Sequence, residues 1–260
     1  MPASRNIGRW HSSRQNQQHK GISHMAELDS AAIRKRQAWS EKSDTEDYVE
    51  KMGRYALVRD ERIVASMLGH GPGKLLDLPC GTGRYLDLEK ERGFEIVAAD
   101  YSPTMLSVAK RHQDVKFVQA DAFDPPFDSE SFDVILVSRL LFHYRNPEAI
   151  IGALSRCLKP GGKMVFDTLN RFSLRWWASM LLRPLHRDPA RRLYFETHRS
   201  MTRKLDALGL KVKRRTSAYV LPTRSYRLIG RVASRVIHCF ETFLPAQLRV
   251  LTFWQVERGS

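Results

Sequence analysis

The chain has 260 residues, 42% of them hydrophobic, enough for one large α/β domain with additions. No apolar run approaches the ~18–20 residues that cross a bilayer. Cys80, Cys157 and Cys239 are too scattered, and too odd in number, for a disulfide framework or a metal site, which fits a reducing cytoplasm. The net charge of +15 is unevenly spread: residues 1–24 hold four basic and no acidic residues, 25–170 hold 20 and 23, and 171–260 hold 19 and 5. A slightly acidic body with a strongly basic last third argues against a general nucleic-acid binder. One appended region is expected to meet an anion: a phosphate, a carboxylate, an RNA or an acidic membrane surface.

Met1 to His24 is rich in Ser, Gln, Asn, His and Arg and lacks an apolar signal-peptide core, so it reads as disordered. Met25 opens a more ordinary sequence and can be a start. The expected organisation is a flexible extension over 1–44 and a single domain over 45–260. The domain divides into a helical lead-in and core (45–170) and a basic part (171–260). Residues 45–68 read as one or two helices. "KLLDLPC" is the first strand after a "GHGPG" break, and "RYLDLEKERG" is a helix. "EIVAAD" is a second strand. "SPTMLSVAKRH" is a helix with Ser102 as N-cap and Pro103 in its first turn. "VKFVQAD" and "FDVILVS" are the third and fourth strands. "NPEAIIGALSRCLKPGG" is a helix capped by Asn146 and stopped by Lys-Pro-Gly-Gly, and "KMVFDTL" is the fifth strand. Strands alternating with helices, most of them continuous apolar runs, imply a doubly wound, mostly parallel sheet covered on both faces. Beyond Asn170 come an arginine-laced insertion, a helix in "HRSMTRKLDALG", a strand in "LKVKRRTSAYVL", a basic helix over 224–243 and a last strand in "QLRVLTFWQV".

The turn in "LLDLPCGTGRYL" lies where such sheets bind ligands, beyond the carboxyl ends of the strands. Gly81 and Gly83 let backbone approach a ligand. Asp100, ending the second strand, can accept both hydroxyls of a ribose. A dinucleotide fingerprint wants a third glycine where Leu86 stands, so no pyrophosphate site is implied. Asp121, ending the third strand, can read an adenine edge together with the Ala122 N–H.

Taken together, "DLPCGTG", the acids Asp100 and Asp121, the "FD" of the fourth strand and "LKPGG" resemble the core of class I S-adenosylmethionine-dependent methyltransferases over residues 73–170. The resemblance implies a seven-stranded Rossmann-like sheet and S-adenosylmethionine as cofactor. It implies that Asp77, Gly81 and Gly83 flank its methionine part, that Asp100 takes the ribose and Asp121 the adenine amine, that Tyr101 packs on the adenosine, and that Ser138 and Arg139 line the methionine end. Pro79 departs from the family's first glycine. It fixes φ near −65° and removes an N–H, which is expected to stiffen the turn without closing it.

The implied chemistry is in-line methyl transfer, for which the protein aligns a nucleophile, excludes water and removes a proton where the acceptor carries one. His143, in "LLFHY", is the leading candidate base, and Tyr144 shares its position. Either can instead pack under the lip of the sheet. Asp167 and His198 are weaker candidates, Asp167 fitting a site-edge hydrogen-bonding role. Ser138-Arg139-Leu140-Leu141 is not the Asn/Asp-Pro-Pro-Tyr/Phe motif of adenine amino methyltransferases, and no cysteine stands there as in cytosine C5 enzymes.

In the basic part, "RFSLRWWASMLLR" sets Trp176 and Trp177 among arginines. Residues 224–243 put Arg227, Arg231 and Arg235 four apart beside an apolar face. Such faces suit a peripheral membrane contact or a cap over an amphiphilic, anionic acceptor. They equally suit a cap packed on the sheet with a solvated arginine stripe. The expected function is methyl transfer to a small or lipid-like acceptor, of quinone, polyketide or glycolipid type. The alternatives are an RNA-directed methyltransferase and a non-catalytic binding protein of the same fold.

Overall fold

Lys74–Asp77, Glu95–Asp100 and Phe132–Val137 are short strands whose residues are nearly all buried, as strands covered on both faces must be. A computed structural model describes residues 53–181, 192–228 and 231–259. The expected extension over 1–44, the helical stretch expected before residue 53 and much of the arginine-laced insertion lie outside the described residues. In chain order the elements are α1 (Arg54–Leu68), β1 (Lys74–Asp77), α2 (Leu86–Glu91), β2 (Glu95–Asp100), α3 (Pro103–Ala109), β3 (Lys116–Gln119), β4 (Phe132–Val137), α4 (Pro147–Ser155), β5 (Leu158–Leu169), α5 (Leu174–Leu181), α6 (His198–Ala207), β6 (Leu210–Ala218), α7 (Arg231–Glu241) and β7 (Leu251–Arg258).

The seven strands form one sheet in the order β3-β2-β1-β4-β5-β7-β6. Only β7 runs against its neighbours, antiparallel to both β5 and β6. The order reverses between β1 and β4, which opens a crevice at their carboxyl ends. Each face of the sheet carries its own apolar cluster. One gathers Leu75, Ile96, Val134 and Phe253 with Val64 and Leu68 of α1. The other gathers Leu76, Val97, Ile135 and Trp254 with Ile150 of α4 and Met201 of α6.

The sequence expectations shift in three places. β5 starts at Leu158, because Leu158 pairs with Phe132 and the Lys-Pro-Gly-Gly segment joins the strand across a register shift. Asn146 stands at the head of α4 without a side-chain capping bond. The expected helix over 224–243 is two pieces: a 3₁₀ turn over Thr223–Arg227, then α7. Pro222 opens the turn with φ of −52°, and Ser225 N donates to Pro222 O at 2.9 Å, the i to i+3 spacing of a 3₁₀ turn. Of the expected arginine stripe, the Arg231 and Arg235 side chains lie outside the described ones.

Candidate active site

The chain leaves β1 through a cis Leu78–Pro79 peptide and enters a turn in which Gly81 and Gly83 have φ of 56° and 87°. The two glycines serve different purposes. A Cβ on Gly81 would meet nothing within 4 Å, whereas one on Gly83 would come within 2.9 Å of the His112 ring and a Leu86 methyl. Gly81 faces open space, and Gly83 allows close packing behind the turn. His112 Nδ1 is itself fixed 2.9 Å from Asp87 Oδ1.

Asp100 ties the end of β2 to this turn. Its Oδ2 accepts the Gly81 N–H at 2.8 Å and its Oδ1 accepts the Ser102 N–H at 2.8 Å. Burial pushes the Asp100 pKa up, and those two backbone bonds hold it back. Ser102 caps α3 as expected, accepting the Met105 N–H at 3.3 Å.

After β4, Arg139 takes a φ of 60°, and its N–H donates to Asp167 Oδ1 at 2.6 Å. Asp167, buried within β5 and outside the cavity lining, thus fixes the backbone that follows β4. Leu141–His143 then forms one 3₁₀ turn. The His143 ring lies 4.8 Å from the Phe142 ring, and buried Tyr144 meets Phe123 edge-on at 5.0 Å.

An open cavity lies between the glycine turn, the end of β2 and the segment after β4. Pro79, Gly81, Asp100, Tyr101, Ser138, Arg139, His143 and Tyr144 line it. Residues 76–166 match the family model described as a methyltransferase domain. Residues 76–166 thus carry a methyltransferase domain.

Curated relatives agree. A demethylmenaquinone methyltransferase of Renibacterium salmoninarum is 31% identical over 171 residues, 65% of this chain and 65% of its own. A ubiquinone biosynthesis O-methyltransferase of Idiomarina loihiensis is 37% identical over 109 residues, 40% of this chain and 45% of its own. The matched stretches thus span about half to two thirds of those relatives' lengths. A solved S-adenosylmethionine-dependent methyltransferase from Thermotoga maritima shares the fold with a TM-score of 0.58 at 15% identity, over 80% of this chain and 91% of that one.

Five further residues weighed for the site lie outside the cavity lining. Gly83 backs the turn as described. Asp77 is buried beneath it near Glu89, and neither carboxylate has a hydrogen-bond partner among the described residues. Burial pushes Asp77 well above the usual carboxylate range, helped by the Glu89 and Asp100 charges, and lifts Glu89 to about 8. Asp121 and Ala122 follow β3 outside the cavity lining, because the Asp121 carboxylate closes its own turn, accepting the Phe123 N–H at 3.0 Å. His198 is also remote from the cavity. Its Nε2 lies 2.9 Å from Thr252 Oγ1, its ring stands against Trp254, and burial lowers its pKa to about 4.

The sequence reading missed Cys80, Thr82, Arg84, Tyr85, Ser102, Met105 and Leu140, which complete the lining, and Asp60, which bonds to Arg84 and Arg139 behind it. Asp60 had a signal. It falls four residues after Ala56 and four before Val64, on the buried stripe of α1, where a carboxylate needs a partner. Among the described residues, no group of three or more His, Cys, Asp or Glu could hold a metal ion.

Proposed function

We propose that this domain binds S-adenosylmethionine in the cavity and transfers its methyl group to a small, amphiphilic acceptor of quinone type. The observation that carries the reading is the cradle of Gly81 and Asp100. A Cβ at Gly81 would project into open space beside the cavity. The Asp100 carboxylate is fixed by two backbone N–H groups, and a carboxylate has about four lone-pair sites, enough to accept a cis-diol as well. Tyr101, on the rim, and Met105 offer apolar surface to an adenine ring. These residues fit the adenosine half of the cofactor.

Bound there, S-adenosylmethionine supplies an electrophilic methyl on a sulfonium. The chain's own part is to align the acceptor, exclude water and handle one proton. His143 lines the same cavity from the segment after β4, and a ring nitrogen can take the proton of an acceptor hydroxyl. Leu140, Tyr85 and Tyr144 give that end of the cavity the apolar surface a substituted aromatic ring requires. The quinone class follows from the names of the relatives and is consistent with this lining.

Access from an anionic membrane surface belongs to the same reading. Among the described residues, ten of the twelve exposed large hydrophobic side chains fall between Phe172 and Leu248, in the part of the chain with 19 basic and 5 acidic residues. Trp177 is 58% exposed and Phe240 67%, which supports interfacial contact over a face packed on the sheet. No described helix is long and apolar enough to cross a membrane.

The test is methyl transfer from radiolabelled S-adenosylmethionine into an extract split into organic, RNA and small aqueous pools. Label is expected in the organic pool. Ribonuclease-sensitive label in the RNA pool would replace this reading with RNA methylation. Cofactor binding with no label in any pool would favour a binding protein. Flotation with vesicles containing phosphatidylserine tests the membrane face, and Trp177→Ser with Phe240→Ser should abolish it.

A further inference from the structure

Tyr219, the residue after β6, joins α7 to the cavity wall. Its N–H donates to Glu241 Oε1 at 2.9 Å, and its hydroxyl donates to Asp60 Oδ1 at 2.6 Å. Glu241, the last residue of α7, also accepts from Arg59 Nη1 and Nη2 at 2.7 and 2.6 Å. The Arg59 guanidinium lies 4.8 Å from the centre of the Tyr219 ring. Asp60, next to Arg59 on α1, bonds through Oδ2 to Arg84 and Arg139, which line the cavity. Asp60, Tyr219 and Glu241 are all buried. An unbroken series of bonds therefore runs from α7, through Tyr219 and α1, to the cavity.

Two features set this clasp apart from plain packing. First, little apolar burial holds α7. Its inner stripe is Ser234, Ile237 and Glu241, spaced i, i+3 and i+7, and among its described side chains only Ile237 packs on an apolar cluster. Val236 and Phe240 are left exposed. Elements with few buried apolar contacts open at low free energy and supply the moving parts of a fold. Docked and undocked α7 are thus two accessible states, and the clasp decides between them. Second, Tyr219 has a φ of 71°, a region that bulky L-residues avoid. Such a conformation persists only where the surroundings over-determine it. Glu241 and Asp60 do so here from the two ends of one residue. A buried ion pair is also a weak device for stability, since apolar residues of the same volume serve as well or better, and a switch is a better-attested use for it.

We propose that the docking of α7 is coupled to cofactor occupancy, with Tyr219 as the coupling residue between the Glu241–Arg59 clasp and the cavity wall. The proposal rests on the methyl-transfer reading. The cofactor binds the docked form better, because that form holds Asp60, and through it the wall, in place. Loading in turn steadies Asp60 and the Tyr219 hydroxyl, and Tyr219 presents its N–H to Glu241. The consequence is an order of events. The helix that carries the exposed apolar side chains settles once the cofactor is in, and the acceptor follows.

Hydrogen exchange of the full chain, with and without saturating S-adenosylhomocysteine, tests this. The amides of α7 should exchange about five-fold or more slowly with the ligand, the lower end of ordinary coupling energies. Residues 211–215, on the edge strand β6, are the reference and should slow less. Equal slowing in both places would be general stabilisation and overturns the proposal, as does no slowing in α7. Tyr219→Phe removes the bond to Asp60 and keeps the N–H on Glu241. It should abolish the extra slowing of α7 while S-adenosylhomocysteine still binds, and slowing that persists overturns the coupling role. Glu241→Gln, outside the cavity lining, should weaken S-adenosylhomocysteine binding about five-fold in calorimetry, and unchanged affinity counts against the clasp. The wild-type comparison stands even where a variant fails to fold. Failure of S-adenosylhomocysteine to bind the wild type overturns the methyl-transfer reading instead and takes this proposal with it.

Discussion

Alanine at Gly81 and alanine at Gly83 should give opposite phenotypes, although the two positions are two residues apart in one turn. Both force an L-residue into left-handed backbone, at φ of 56° and 87°, which costs about 1–2 kcal/mol. At Gly81 that is the whole structural cost, because the new Cβ touches nothing within 4 Å. At Gly83 the Cβ overlaps Leu86 and His112 at 2.9 Å. Leu86 is fully buried and His112 is tied to Asp87, so neither swings away freely. Overpacking of that kind adds ~1–3 kcal/mol. For a chain of this size each kcal/mol moves Tm by roughly 2–4 °C. Gly81→Ala should therefore lower Tm by a few degrees and Gly83→Ala by about twice that or more. Affinity for S-adenosylhomocysteine should order the other way, with Gly81→Ala losing more because its methyl enters the ligand's space. Thermal denaturation and calorimetry on both variants check this. Equal Tm losses, or a Gly81→Ala protein with unchanged affinity, would refute the assignment of separate roles.

Three further outcomes are expected. Asp100→Ala orphans the buried Ser102 N–H and the half-buried Gly81 N–H, which now make charge-assisted bonds of ~1.5–3 kcal/mol each. It should lower both urea stability and cofactor affinity, with Asp100→Asn intermediate; loss of affinity alone would mean the turn does not depend on Asp100. His143→Ala should lower kcat by about 10²-fold with S-adenosylhomocysteine affinity unchanged; a loss confined to affinity would make His143 a wall residue. Glu89 keeps its proton in the folded state up to about 8, whereas the unfolded chain releases it in the usual carboxylate range. The folded form binds the extra proton between those limits, so stability is full at low pH and falls as pH rises through about 8. Glu89→Gln should flatten that fall, and parallel wild-type and variant curves of Tm against pH would argue against it.

The layers of the fold were legible because each strand and helix announces itself locally, by an apolar run or by a cap such as Ser102. The cradle was legible for the same reason, since Gly81 and Asp100 are fixed by their places at the ends of β1 and β2. What could not be read is what depends on side chains meeting across the chain. Asp60 is 79 residues from Arg139 and 159 from Tyr219, and no local pattern pairs them. The roles given to Asp77, Asp121 and Ala122 rested on order along the chain, whereas one carboxylate sits under the turn and another closes its own. The helix over 224–243 divides because Pro222 begins a tight turn that its apolar spacing did not reveal.

The place of β7 sets an order on the birth of this protein. β5 and β6 never touch; the last strand, Leu251–Arg258, lies between them. While the ribosome is still making residues 170–250, the apolar β5 stands with a bare edge, and β6 has no sheet to join. Glu241, which grips Arg59 of α1 through both its oxygens at 2.6 and 2.7 Å, also comes late. The nascent chain therefore carries an open, sticky edge from the completion of β5 onward, and it should lean on chaperones until its final strand has emerged.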